Sequence, residues 1–441
     1  MNEILTGDGK QANPSCGYIM GYFTESPERL ANAFALHLAS SRDGRNWTPL
    51  HAGEPVLVPE IGERGMRDPF IFRKQDGQYI VVATNMWNSE SIMCYDSPDL
   101  IHFEAGRLLR LNSSGMHAWA PEIIYDPERQ KYAIFWSGNT ERNRIYVNYT
   151  QDFLSVTEAE VFFDPGYDVI DASIIPHGDM YFLYFKDERN PDEAPFEGKR
   201  IKGAVASSLQ PGSFNKAVYT RPIGEPMIEG PFVIRSLDED KWYLYGDCYT
   251  PINAKFFVWE TSELNSGNWQ PMDRRNYQLP PNAKHVSILS VNEAEWSRLI
   301  QTYEPPIWFR IRSYALPDYY LRADDSFAKL APIPFDPYTS SLWKVTRGLA
   351  SPDGVSIESV HQPGFYLRSS QFVLRLSKLE DSDNFREECT FMRMEGLSDP
   401  SWSSFRSFSY PEMYLIMDGA YIRISIIECE RDKAYATFQL G

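Results

Sequence analysis

Basic residues are in short supply. The 441 residues carry 43 Lys and Arg against 60 Asp and Glu, a formal net charge of −17. That imbalance argues against nucleic acid or an anionic membrane surface as the main partner. Cysteines are few and scattered: Cys16, Cys94, Cys248, Cys389 and Cys429 form no C-x-x-C pair. Neither a disulfide framework nor a zinc site is indicated. No run of 18 apolar residues occurs, so no membrane-spanning helix is expected. The N-terminal stretch MNEILTGDGK lacks a basic segment followed by an apolar core, so no secretory signal is read. A cytosolic protein with reduced thiols is the expectation. Helical periodicity is scarce, and ESPERLANAFAL near Glu25 is the one helix candidate. Aromatic side chains, in contrast, are abundant at 14%. They favour β-structure and offer flat faces for sugar rings.

Those rings fall in a repeat. DPFIFRKQDGQYIVVAT from Asp68, APEIIYDPERQKYAIFWS from Ala120, DASIIPHGDMYFLYFK from Asp171 and EGPFVIRSLDEDKWYLYGD from Glu229 share a strand, a polar turn and an aromatic strand. HVSILSV from His285 opens a fifth unit. Between these units lie SSRDGRNWTPL, YDSPDLIHFEAG, YTQDFLSVTEAE and ETSELNSGNWQPM, each a strand, a turn and a return, with AVASSLQPGSFNKA a looser copy. About four short strands per period of roughly 50 residues is a propeller blade, and five periods make five blades. Gly17–Phe23 is placed to close the ring with the last blade.

The remainder repeats differently. RSYALPDYYLR, ESVHQPGFYLR and RSFSYPEMYLI align without gaps, with Pro317, Pro363 and Pro411 in register. Three strand-and-turn copies of roughly 45 residues predict a β-trefoil. The chain thus reads as all-β, a propeller over residues 1–303 and a trefoil over 304–441, joined by a stiff link at Pro305-Pro306.

The blade-opening position holds Asp68, Ala120, Asp171, Glu229 and His285. Inner strands of a propeller line a central channel, so three carboxylates and a histidine should meet at one end of it. Glu122, two residues past Ala120, lies on the same face of its strand and is expected to join them. Carboxyls gathered around one cavity repel, and some take a raised pKa. One protonated acid beside one ionised base is the pairing that glycosidic hydrolysis requires.

The segments Arg67-Asp68-Pro69-Phe70-Ile71, Trp119-Ala120-Pro121-Glu122, Ile170-Asp171-Ala172-Ser173 and Ile228-Glu229-Gly230-Pro231 resemble, in order and spacing, glycoside hydrolase family 43. The resemblance covers roughly residues 15–300 and implies a five-bladed, configuration-inverting glycosidase. It implies Asp68 as general base, Asp171 as the residue that orients Glu229 and keeps its pKa high, and Glu229 as general acid. Trp119, Glu122, His285, Phe232 and Trp87 are the implied sugar contacts, with Trp136 a further specificity candidate. His285 stands in Lys-His-Val where the family has Arg-His-Gly, near a calcium ion or water cluster in some members. No cofactor is required, and calcium bound near His285 is the one candidate.

The trefoil resembles the AbfB module, carbohydrate-binding family 42, over Ser356–Arg368 and Asn384–Phe391. The histidine usual after Tyr-Leu-Arg is replaced by Ala323, Ser369 and Met417, and the acidic residue before the closing aromatic is Glu388. Tyr435 takes the comparable place in the third copy. Weakened sugar pockets are expected. The leading functional expectation is removal of terminal α-L-arabinofuranose from short oligosaccharides. A β-D-xylosidase or β-D-galactofuranosidase, or a non-catalytic carbohydrate-binding protein, are the alternatives.

Overall fold

The computed structural model describes residues 14–25, 30–113, 117–214, 218–250, 254–332 and 337–441. The chain divides into two compact units, Met1–Pro305 and Pro306–Gly441.

The first unit is a five-bladed propeller. Blade 1 contains Met66–Arg73, Tyr79–Asn85, Ser91–Ser97 and Arg107–Arg110 in that order. Blade 2 contains Trp119–Asp126, Lys131–Asn139, Asn143–Thr150 and Glu160–Phe163. Blade 4 contains Ile228–Arg235, Trp242–Cys248, Lys255–Thr261 and Gln270–Pro271. Blade 3 has three strands among the described residues, Val169–His177, Met180–Asp187 and Ile201–Ala206. Two isolated bridges, Ile201 to Ile223 and Ala204 to Val218, stand where a fourth strand would pair. Blade 5 joins the two ends of the unit. Its inner strand Lys284–Asn292 pairs with Ser15–Phe23, which pairs with His37–Ser41.

Period-two patterning explains why the blades stack. In Tyr79–Asn85, Tyr79, Val81 and Ala83 face the core shared with blade 5, while Ile80 and Val82 face that shared with blade 2. The strand is buried on both faces, hence its unbroken apolar run. Each large apolar side chain so buried contributes about 1.5–3 kcal/mol.

The helix candidate near Glu25 is reduced to Leu30–Ala33, with residues 26–29 outside the described residues. A ten-residue helix that periodicity did not reveal runs over Glu293–Thr302. Its Asn292 cap accepts from the Ala294 and Glu295 amides, and Glu295 accepts from the Asn292 amide at 2.9 Å. Glu295 also accepts from Arg73 and Tyr79, which fastens the helix to blade 1.

The second unit is a β-trefoil. Phe309–Ser313, Leu342–Arg347, Val355–Ser359, Phe391–Glu395, Ser403–Ser407 and Phe438–Leu440 close a six-stranded barrel. Three hairpins, 320–331, 365–378 and 414–425, cap one end. They interlock by equivalent bonds: the Leu330 amide donates to Ala420, Leu376 to Ser326 and Ile424 to Phe372, at 2.8–2.9 Å. Trp343, Ile357, Leu367, Phe391 and Phe405 fill the interior, without exposure.

Candidate active site

Each inner propeller strand is bulged near its start. Register slips between Arg67 and Phe70, Trp119 and Glu122, Ile170 and Ser173, and Glu229 and Phe232, and again opposite Lys284 in blade 5. A bulge lets one extra residue re-aim a side chain. The bulged residues share a left-handed backbone: Asp68 at φ 48°, Ala120 at 46°, Asp171 at 57°, Gly230 at 58° and His285 at 44°. The equivalent position in blade 4 is therefore Gly230, not Glu229 as the repeat alignment placed it. Glu229 instead shares a position with Arg67, Trp119, Ile170 and Lys284.

Left-handed non-glycine residues cost on the order of 1–3 kcal/mol each and persist only where neighbours hold them. Here the preceding blade does so. The Ala120 amide donates to Thr84 Oγ1 at 2.8 Å, the Asp171 amide to Ser137 Oγ at 2.9 Å, and the His285 amide to Asp247 Oδ1 at 3.0 Å. Blade 3 has Lys186 where the others have Thr84, Ser137 and Asp247, and an ammonium cannot accept. Asp171 takes that role: its Oδ2 accepts from the Gly230 amide at 3.1 Å. The turn is tight, because a Cβ on Gly230 would lie 2.9 Å from Asp247 Oδ1.

Asp68, Asp171 and Glu229 thus stand on inner strands around one end of the channel. Asp68 Oδ2 accepts from Thr84 Oγ1 at 2.7 Å, and Oδ1 faces His285 Nδ1 at 3.4 Å. Glu229 is held by two cations. Lys186 Nζ lies 2.9 Å from its Oε2, and Lys284 Nζ 3.5 Å from its Oε1. Both lysines are almost wholly buried, at 2% and 3% side-chain exposure.

Burial pushes the Asp171 carboxyl up to about 7, against the opposing charge of His285. Burial also raises Asp247, to about 6, though Lys284 opposes it. Burial acts on Glu229 in the same sense, but Lys186 and Lys284 outweigh it and bring that carboxyl down to about 2. Against the expectation that Asp171 keeps the Glu229 pKa high, the two lysines dominate the electrostatics of Glu229. Burial works against a charged His285, yet Asp68, Asp171, Asp247 and Glu229 raise its pKa. Among the described residues, no set of three or more His, Cys, Asp or Glu is placed to hold a metal.

The other expected contacts separate. Trp119 Nε1 donates to the Trp87 carbonyl at 2.7 Å, and the two rings meet edge-on at 6.4 Å. Trp87 is 47% exposed, and the Arg67 guanidinium lies 3.8 Å from its ring centre. His117, a lone histidine not among the expected contacts, stacks on Trp119 at 3.5 Å. These rings form an aromatic cluster with Arg67, the chain neighbour of Asp68. Glu122 and Phe232 instead lie two residues past their bulges, one layer deeper. Phe232 packs in the core 6.2 Å from Phe70, and so is not a sugar contact. Burial drives the Glu122 carboxyl well above its usual range, although Ser173 hydrogen-bonds it. Trp136 is fully buried, its Nε1 bonded to Asn148, so it is a core residue.

In the trefoil, Ala323, Ser369 and Met417 are all buried. Glu388 accepts from Arg368 Nε at 2.6 Å. Tyr435 packs half-buried against the core.

Propeller and carboxyl cluster together have the form that the glycosidase resemblance implied. Residues 13–297 match the family described as "probable glycosyl hydrolase domain", and the chain belongs to it. Residues 309–440 match the "alpha-L-arabinofuranosidase B (ABFB) domain". An α-L-arabinofuranosidase of Bifidobacterium longum subsp. longum is 22% identical over 331 residues, 62% of this chain and 30% of that one. Alpha-L-arabinofuranosidase B of Emericella nidulans is 40% identical over 76 residues, 16% of this chain and 15% of that one. The chain thus spans less than a third of either relative. Among solved structures, an exo-β-1,3-galactanase from Clostridium thermocellum overlaps 85% of this chain and 95% of its own, at 13% identity and a TM-score of 0.41.

Proposed function

We propose that the protein is an inverting exo-glycoside hydrolase that removes terminal α-L-arabinofuranose from short oligosaccharides. The observation that carries this is the placement of Asp68 and Glu229 on inner strands of one channel end, with the buried Asp171 between their blades. In a single displacement, Glu229 protonates the glycosidic oxygen while Asp68 deprotonates a water on the opposite face of the sugar. Inversion needs those carboxyls about 6.5–9.5 Å apart. The Trp87–Trp119 wall takes one face of a sugar ring. Arabinose is favoured over xylose or galactofuranose by the arabinofuranosidase relatives and the ABFB domain. A cytosolic location, with imported oligosaccharides as substrates, completes the reading.

The test is release of nitrophenol from α-L-arabinofuranoside, β-D-xyloside and β-D-galactofuranoside by wild type and Asp68→Asn. Arabinofuranoside turnover that is lost in Asp68→Asn supports sugar and base together. Turnover of only another sugar keeps the chemistry and replaces the substrate. A second reading, a sugar-binding propeller without catalysis, is favoured by one observation, the lysine pair that holds Glu229 ionised. Sugar binding without turnover of any substrate in the panel would select it.

A further inference from the structure

One residue layer of the channel end is unevenly polar. The position before each left-handed residue holds Arg67, Trp119, Ile170, Glu229 and Lys284, from blade 1 to blade 5. Blade 5 packs between blades 4 and 1, so Glu229, Lys284 and Arg67 are consecutive around the axis. Trp119 and Ile170 are neighbours on the other side. The layer therefore has a charged sector and an apolar sector. A sugar ring is two-sided in the same sense, with C–H faces and a rim of hydroxyls.

A residue from outside the repeat enters the charged sector. Phe23 pairs with Lys284, so the chain leaves blade 5 at the end where the carboxyls stand, and Glu25 follows two residues later. The Thr24 amide donates to the Ala33 carbonyl at 3.0 Å, which fixes that departure. Glu25 Oε1 accepts from Arg67, and its Oε2 lies 3.9 Å from Lys284 Nζ. Arg67 is itself held between Trp87 and Phe23, 3.8 and 4.9 Å from the two ring centres. Three carboxylates thus surround Lys284: Glu25, Glu229 and Asp247. Asp247 is sealed off, with no side-chain exposure, whereas Glu25 keeps 17% and Glu229 18%. Glu25 is as accessible as the carboxyl assigned as general acid.

Resting on the hydrolase reading above, we propose that Glu25 is a specificity residue that accepts a hydroxyl of the terminal sugar, with Arg67 and Lys284 fixing its carboxylate. The sugar then lies with hydroxyls toward blades 5 and 1 and an apolar face toward Trp119 and Ile170. A hydroxyl both donates and accepts, which suits an anion flanked by two cationic donors. A carboxylate offers about four acceptor positions, so Glu25 can take the hydroxyl and keep Arg67. A further residue attached at that hydroxyl would remove its hydrogen, so the same contact reads a chain end. Glu25 takes no part in bond breaking.

The test is a cycle between protein and substrate. Wild type and Glu25→Ala are given nitrophenyl α-L-arabinofuranoside and its 2-deoxy, 3-deoxy and 5-deoxy forms. The intrinsic reactivity of each deoxy sugar cancels when the two proteins are compared. A hydrogen bond to a charged group is worth about ten- to a hundredfold. For one deoxy form, kcat/KM relative to the parent sugar should be lower by that factor with wild type than with Glu25→Ala, where the partner is already gone. Glu25→Gln keeps the shape should Glu25→Ala fail to fold, and it should discriminate to an intermediate degree. Equal relative losses in wild type and variants for all three forms would overturn the proposal and leave the hydrolase reading intact. Should no glycoside be turned over, the same cycle is read by calorimetric binding of methyl α-L-arabinofuranoside and its deoxy forms. Coupling in binding would keep Glu25 as a sugar contact while the hydrolase reading falls, and its absence would overturn both.

Discussion

Propeller and trefoil are both built by repeating a four-strand unit of about 50 residues, but they treat their symmetry in opposite ways. The trefoil preserves it. Its three caps are joined by equivalent amide bonds, and the equivalent positions Ala323, Ser369 and Met417 are all buried. The propeller keeps its backbone five-fold and breaks the side chains. Its five bulged positions hold two aspartates, an alanine, a glycine and a histidine, on one left-handed conformation. Equivalent backbone with unlike side chains is how a repeat becomes a site, whereas equivalent backbone with interchangeable core side chains remains a scaffold.

The strongest way to break this comparison is to attack the unlike positions. Glu229→Gln and Asp68→Asn should each lower kcat on the methyl glycoside by about 10²–10⁴-fold, as expected when a general acid or base is lost. Both should leave the thermal unfolding midpoint close to wild type. Loss of less than tenfold in Glu229→Gln would remove it from the role of acid.

In the trefoil the same logic predicts a stability effect. Trp343 is fully buried and donates to the Leu321 carbonyl at 2.9 Å. Trp343→Ala should cost about 3–5 kcal/mol. A calorimetric scan should show the transition of the 306–441 unit lowered. An unmoved scan would mean that the interior tolerates the cavity.

Two glycines sharpen the contrast. Gly230 and Gly364 both have left-handed backbone, at φ 58° and 82°. A Cβ on Gly230 would press on Asp247 and His285, whereas one on Gly364 would meet nothing within 4 Å. Gly364→Ala should cost about 1 kcal/mol from backbone strain alone. Gly230→Ala should cost more in stability, measured by urea unfolding, and should also lower kcat/KM. Equal costs would show that the propeller turn has slack.

The smallest expected effect is a pH slope. A carboxyl whose folded pKa is raised binds its proton more tightly in the folded than in the unfolded state. Its contribution is fully present below the unfolded value, near 4, and is lost as pH rises through about 7. Asp171→Asn removes that loss. The difference in unfolding midpoint, variant minus wild type, should therefore grow in the variant's favour between pH 5 and 8. A flat difference would contradict the proton on Asp171.

The two repeats, and with them both folds, were legible because strand periodicity and turn residues recur at fixed spacing. Asp68 and Asp171 were legible in register for the same reason. The blade-4 slip was not, because a bulge inserts one residue and Glu229 and Gly230 are adjacent. Glu229 drew the alignment as a carboxylate, while the backbone selects Gly230. Lys186 carried a signal that was passed over: the second strands read VVAT, FWSG and YGDC around Thr84, Ser137 and Asp247, and FKDE around Lys186. A cation in a column of small acceptors stands out only once the blades are aligned. Phe232 and Trp136 show the converse, since an aromatic in a β-strand looks alike whether it faces sugar or core.

Blade 5 draws its inner strand from Lys284–Asn292 and its second from Ser15–Phe23. Ser15–Phe23 pairs on one edge with the nearby His37–Ser41, but its other edge meets Lys284–Asn292 from the far end of the unit. Lys284 and His285 reach the carboxyls only when that ring shuts. Without that closure the site lacks both the histidine that faces Asp68 and one of the two lysines beside Glu229. The seam of the propeller thus completes the charged cluster as well as the ring.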